Sequence, residues 1–244
     1  MGLSSNSLIH FTPKKEYLVG ILENNFKINY CVEEIFTEKY SMSGAFPMVC
    51  FCDIPLSEIT AHMFNYGDYG IGLKREWIIS NGLNPVLYLE KKSDIARKIF
   101  VTFKAILKGK PITNYNDDES TIVSIMQYMK NYQGDLKRNN NTIPDYRFSD
   151  EREWRYIPSK DQVDYVAVPV DEFKNNKPKY NNKLKKLRLE FSPDDISYII
   201  LSDESEISDF IEIIRRAKGS KYTMAQVDRL ITRIFTKKQI LSDL

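Results

Sequence analysis

The chain has 244 residues, of which 42% are hydrophobic and 28% charged, and its formal net charge is +2. That length can bury a sizeable core, and that balance excludes a disordered chain. A charge so near zero leaves any electrostatic function to local patches. No apolar run reaches the ~18 residues that a membrane span needs. The start, MGLSSNSLIHFT, lacks the charged-then-apolar pattern of a signal peptide, and Asn6 breaks the myristoylation pattern. A cytoplasmic location is expected. The three cysteines, Cys31, Cys50 and Cys52, fit neither a disulfide framework nor a metal site, and are expected to be reduced structural thiols.

In chain order, SLIHF reads as a short apolar strand with His10 near its end. Thr12 and Pro13 then resemble an N-cap and first helical position, and Tyr17, Leu18, Ile21 and Leu22 recur at helical spacing until Asn24 and Asn25. PMVCFCDIP is a second strand and LSEITAHMFNYG a short helix with Ile59, Met63 and Tyr66 on one side. YGIGLK returns as a strand whose glycines, Gly70 and Gly72, signal something close to the backbone.

NPVLYLE is another strand. SDIARKIFVTFKAILKG is a helix with Ile95, Ile99, Phe103, Ile106 and Leu107 as its expected buried stripe and Gly109 as its cap. A second amphipathic helix, ESTIVSIMQYMKNYQG, is followed by a polar loop, LKRNNNTIPDYRFSD, that leads into the strand EREWRYIP. VDYVAVPV reads as a strand and FKNNKPKYNNKLKKLR as a basic connection. Two strands, LRLEF and ISYIILS, precede helices at EISDFIEIIRRAKG and TMAQVDRLITRIFTKKQIL, the latter with Val227, Leu230, Ile231 and Ile234 as its stripe. Without repeats or a βαβ rhythm, this is mixed α+β, most simply one domain over residues 1–202 with C-terminal helices, 203–244, packed on it.

The segment SDEREWRYIP sets Glu151 and Glu153 beside Trp154 and Tyr156. Strand parity gives Glu151, Glu153 and Arg155 one face and Arg152, Trp154 and Tyr156 the other. The bulky face is expected to be the buried one. On that parity, the carboxylates meet a cleft or solvent, with Arg155 able to hold Glu153 ionised.

SLIHFTPKKEYLVGILENNFK, PMVCFCDIPLSEITAHMFNYGDYGIGL and EREWR together resemble the AbiGi family of phage abortive-infection proteins, over most of the chain up to about Pro158. That family carries an antitoxin label. The order strand–His–x–Thr–helix, strand–helix–Tyr, then a strand opening with Glu is also similar to the diphtheria-toxin-like branch of the ADP-ribosyltransferases. This second resemblance implies an ADP-ribosyltransferase-like core of mixed or antiparallel sheet with flanking helices. It further implies that NAD is bound as substrate, without metal, by His10, Thr12, Tyr66, Tyr69 and Arg155, and that Glu153 is the catalytic carboxylate. Phe11 stands where that branch has a small glycine.

The chemistry suits those residue types. Expelling nicotinamide leaves an oxocarbenium-like charge on the ribose, which a carboxylate shielded from water can stabilise. A tyrosine face can hold the nicotinamide ring, and a neutral imidazole suits ribose hydroxyls. Each residue also has a plainer reading: a satisfied core histidine, tyrosines among 15 that pack, and a salt-bridged strand edge. The basic run Lys174, Lys177, Lys179, Lys183, Lys185, Lys186 and Arg188 around Tyr180 is either a solvated connection or a nucleic-acid contact with one stacking aromatic.

Two functions follow from these resemblances. One is an NAD-dependent enzyme that modifies a nucleic acid or protein during phage infection and needs a neutralising partner. The other is a non-enzymatic antitoxin or sensor that binds a protein partner such as a paired toxin.

Overall fold

The adjacent apolar pair Leu8 and Ile9, both fully buried, sets Ser7–Thr12 (β1) inside a sheet covered on both faces. The computed structural model describes residues 5–107, 115–138 and 141–243. Helix α1 (Lys15–Asn24) starts three residues after Thr12, with Lys14 at its N-cap. Asn25 ends it at a positive φ of 63° with an extended ψ of 179°, its N–H donating to the Ile21 carbonyl.

Two strands, β2 (Phe26–Lys27) and β3 (Asn29–Phe36), lead to the long β4 (Ser41–Cys52). A 3-10 turn at Leu56–Glu58 precedes α2 (Thr60–Tyr66), whose Met63 is buried together with Ile59 before it. Next come β5 (Tyr69–Lys74), α3 (Arg75–Ser80), β6 (Asn84–Pro85) and β7 (Leu87–Leu89).

Helix α4 (Asp94–Leu107) buries Ala96, Phe100 and Phe103 while Ile95 and Ile106 are exposed, so the expected stripe was rotated by about one position. Gly109 lies outside the described residues. The capping box of Asn116 and Glu119 starts α5 (Asp117–Gln127), and β8 (Met129–Asn131) follows.

The stretch expected to be a polar loop contains a hairpin, β9 (Gly134–Arg138) and β10 (Asn141–Tyr146), before β11 (Glu153–Tyr156). Its apolar positions are too sparse to announce strands. VDYVAVPV forms no strand; only Val168 bridges, to Ala45. The basic connection folds into α6 (Val170–Asn175) and α7 (Lys177–Lys183), held by Phe173 and Tyr180 in the core. The chain ends with β12 (Arg188–Leu189), β13 (Ile196–Leu201), α8 (Ile207–Lys218), α9 (Met224–Ile231), β14 (Ile234–Thr236) and α10 (Lys237–Asp243).

The elements make a mixed α+β protein that divides into two compact units. Unit one comprises residues 1–27, 50–83 and 188–244. Its sheet runs β14-β13-β5-β1 and then the end of β4. Only β14 runs parallel to its neighbour; the other pairs are antiparallel. One face carries Ile9, Cys52, Ile54, Ile59, Met63, Ile200 and Ile240. The approach that Gly72 announced is internal: the Tyr198 ring lies across it, where an added Cβ would stand 2.5 Å from the ring.

Unit two comprises residues 28–49 and 84–187. In it β3 pairs antiparallel with Ser41–Met48 of β4, β7 runs parallel to β8, and β11 pairs with β6.

Candidate functional site

The carboxylate of Glu153 is inside unit two. Glu153 is 6% exposed and Arg155, two residues on, is 0% exposed. Trp154 and Tyr156 are only half-buried. The expected parity within the strand is right, but its faces are inverted: the charged side is the inner one. Glu151 departs from the parity as well, because it belongs to a 3-10 turn, Phe148–Glu151, and not to the strand. Arg152 closes that turn at a φ of 43°, which lets Glu151 and Glu153 converge on one lysine.

That lysine is Lys130 of β8. Its Nζ lies 2.7 Å from Glu151 Oε2 and 2.8 Å from Glu153 Oε2. From the other side Arg155 donates Nε–H to Glu153 Oε1 at 2.7 Å and approaches Oε2 at 3.3 Å. The same guanidinium meets Glu33 of β3 at 3.1 Å and donates to the Gln127 carbonyl at 2.6 Å. The backbone N–H of Glu153 donates to the Tyr88 hydroxyl at 2.8 Å. Three carboxylates and two cations thus satisfy one another out of water, which is how a protein can bury charge.

The electrostatics follow from that pairing. Burial works to raise the Glu153 carboxyl, but Arg155 and Lys130 outweigh it and hold the group below the usual carboxylate range. For Lys130, burial works downward and Glu153, Glu151 and Glu33 prevail, so the ammonium sits well above its ordinary value. Cys31, beside the cluster, is pushed up to about 12 by burial and by Glu33. It is therefore a thiol at neutral pH and a poor nucleophile.

The other sequence-derived site residues belong to unit one. His10, half-buried on β1, donates from Nδ1 to the Cys50 carbonyl at 2.8 Å, with Phe26 and Phe51 edge-on at 5.3 and 5.6 Å. Desolvation lowers its imidazole below the ordinary value against the opposing pull of that carbonyl, so His10 is neutral at pH 7. Thr12 is buried and pairs across the sheet with Tyr69, whose hydroxyl donates to Glu206 at 2.9 Å. Tyr66 closes α2, and Gly67 after it takes a φ of 117° and packs against the backbone of Thr12 and Pro13. The structure therefore brings Thr12 next to Tyr69 and Glu153 next to Arg155.

Within the basic run, Lys183 pairs with Asp164 at 2.6 Å. Tyr180, the expected stacking aromatic, is 4% exposed and donates to Glu172 at 2.8 Å, so its ring is not offered to a base. Among the described residues no cluster of His, Cys, Asp and Glu could hold a metal, and no helix is long and apolar enough to cross a membrane. Sequence reasoning missed Lys130, Glu33 and Tyr88. Lys130 lies in MKN, which was absorbed into the preceding helix, and CVEEIF was not assigned to any element. On the expected charged face two carboxylates, Glu151 and Glu153, stand against one cation, Arg155, and that imbalance is the available sign that a cation from elsewhere is needed.

A family model described as "Putative abortive phage resistance protein AbiGi, antitoxin" matches residues 24–202. The chain belongs to the AbiGi family. The matched residues include Tyr66, Tyr69, Glu153 and Arg155 and begin after His10 and Thr12. The chain is also 30% identical over 223 residues to the Abortive phage resistance protein AbiGi of Lactococcus lactis subsp. cremoris, covering 81% of this chain and 88% of that protein. No solved structure matches. The chain is thus a phage-defence protein of the abortive-infection kind.

Proposed function

We propose that this AbiGi-family chain is the antitoxin half of an abortive-infection pair, working by binding a protein toxin and not by catalysis. The observation that carries this reading is the occupancy of Glu153, whose two oxygens are already taken by Arg155 and Lys130 of its own unit. A carboxylate so held is a structural anchor, and a substrate hydroxyl would have to displace an internal cation to reach it. The description of the family as an antitoxin supports the same reading. The basic run has no nucleic-acid role in it.

The test is co-expression with a toxin encoded beside it. Expressed alone, the chain should be harmless; expressed with the toxin, it should restore growth. Growth arrest by the chain alone, relieved by Glu153→Gln, would contradict the proposal.

A second reading is the NAD-dependent ADP-ribosyltransferase, with an ADP-ribosyltransferase-like fold, Glu153 as its catalytic carboxylate and His10 as a ribose contact. Two observations favour it. Glu153 is kept ionised in a low-dielectric setting, the state that oxocarbenium stabilisation needs. His10 is neutral with Nδ1 tied down, leaving Nε2 as an acceptor for a ribose hydroxyl. Nicotinamide release from NAD by the purified chain, lost in Glu153→Gln, would establish this reading over the first.

A further inference from the structure

The segment SMSGAFPMVCFC forms β4, and at Ser41–Ser43 one of its edges is unpaired among the described residues. Peptide groups alternate in direction along a strand, so residues two apart turn their N–H and C=O to the same side. Ala45 directs both groups away from β3, donating to Val168 O at 2.8 Å and accepting from Val168 N–H at 2.9 Å. Ser43 and Ser41 share its parity and face the same way. Across the ladder Phe36 obeys the same alternation. Opposite Ser41, it turns outward and satisfies its N–H and C=O on the Asn131 side chain, at 2.9 and 2.8 Å.

Among the described residues no such cover reaches Ser43 or Ser41. The bridge to Val168 stops because Pro169 follows and α6 begins at Val170. No outward hydrogen bond joins the backbone of Ser41 or Ser43 to another described residue, and both residues are exposed.

The edge opens onto a cavity of about 1060 Å3 in unit two. Phe46, Phe100, Val123 and Met126 give it an apolar floor. Lys39 and Lys104 also line it, and no carboxylate does among the described residues. Neither lysine has an ion pair within the described residues, and Lys104 Nζ stands 6.0 Å from the Tyr40 ring.

An exposed strand edge beside an apolar pocket is the arrangement that accepts an added strand: main-chain hydrogen bonds give affinity, and alternate side chains entering the pocket give selectivity. We infer that β4 at Ser41–Ser43 is the docking edge for an extended, acidic segment of the partner protein. An apolar side chain of that segment fills the cavity, and its carboxylates meet Lys39 and Lys104. This deepens the partner-binding reading and rests on it.

The test has two arms. In the first, fluorescein-labelled peptides EVTVTE and KVTVTK are titrated with the full chain by anisotropy. The acidic peptide should bind at least about tenfold tighter, and Lys104→Glu, which leaves Lys39 opposed by one carboxylate, should abolish that preference. Ser43→Pro should weaken EVTVTE at least about tenfold, by removing a main-chain donor. That variant keeps the β3 ladder because position 43 donates outward, as proline at position 47 on the same strand already allows. Its circular dichroism and Tm should stay native. Equal binding of the two peptides, an unchanged affinity in Ser43→Pro, or no binding at millimolar peptide each overturns the inference.

In the second arm, growth rescue from the co-expressed toxin is compared between wild type and Ser43→Pro. Loss of rescue in the folded variant is expected, and equal rescue overturns the docking edge while leaving the antitoxin reading intact. If wild type itself fails to rescue, the antitoxin reading falls and the peptide arm alone decides the edge.

Discussion

In unit one the polar group set among aromatic rings is an imidazole, and in unit two the polar centre is a set of five charged side chains. His10 meets burial by giving up its charge: Phe26 and Phe51 desolvate the ring, and one carbonyl satisfies Nδ1. Glu153 keeps its charge because two cations are supplied, one from its own strand and one from β8. The first solution needs one hydrogen bond and ordinary apolar packing. The second depends on residues 33, 130, 151, 153 and 155 arriving together, and is broken by the loss of any strong donor.

That contrast can be broken most forcefully at Arg155. Arg155→Met leaves Glu33 and Glu153 with only Lys130 between them, and should cost ~3–5 kcal/mol in denaturant unfolding. Lys130→Met should cost less, ~1.5–3 kcal/mol, because Arg155 still holds Glu153. At Gly67, away from both centres, a Cβ would require a left-handed alanine pressed against Thr12 and Pro13. Gly67→Ala should therefore lower stability by ~1–3 kcal/mol.

The two centres should separate by pH. Glu153 has a folded-state value below its unfolded one, so its contribution is present above the unfolded carboxylate range and is lost as pH falls through the lower folded value. Lys130 has the opposite sign: its contribution is full below the unfolded lysine value and fades only as pH rises through the raised folded one. His10 binds its proton more weakly when folded, so stability should begin to fall as pH drops below about 6.5, the ordinary histidine value. His10→Gln should flatten that limb and leave the more acidic limb of Glu153 in place, as read from unfolding midpoints between neutral and acid pH. The smallest effect belongs to the exposed pairs of Asp94 with Arg97 and Lys98, where Asp94→Asn should leave the midpoint unchanged within error.

Much of unit one was legible because its strands are apolar and bounded by Gly, Pro or Asn, as in SLIHF, YGIGLK and ISYIILS. Unit two was harder to read. Its hairpin at residues 134–146 has few apolar positions, and α7 is written in Lys and Asn with a single buried tyrosine. The face of EREWRYIP was misjudged because hydrophobicity alone decides such a choice correctly only when the charged side lacks buried partners. Here those partners come from β3 and β8, about 120 and 23 residues before Glu153 in the chain. Likewise, Asn131 and Val168 cover backbone edges in ways that no local pattern announces.

The measurement that tests the account most directly is growth rescue by Glu153→Gln, scored at a temperature where its circular dichroism is native. If Glu153 serves the fold and the chain acts by binding, the folded variant should restore growth against the toxin as wild type does. A folded Glu153→Gln that fails to rescue while wild type succeeds would contradict the account and return Glu153 to the chemistry of the site.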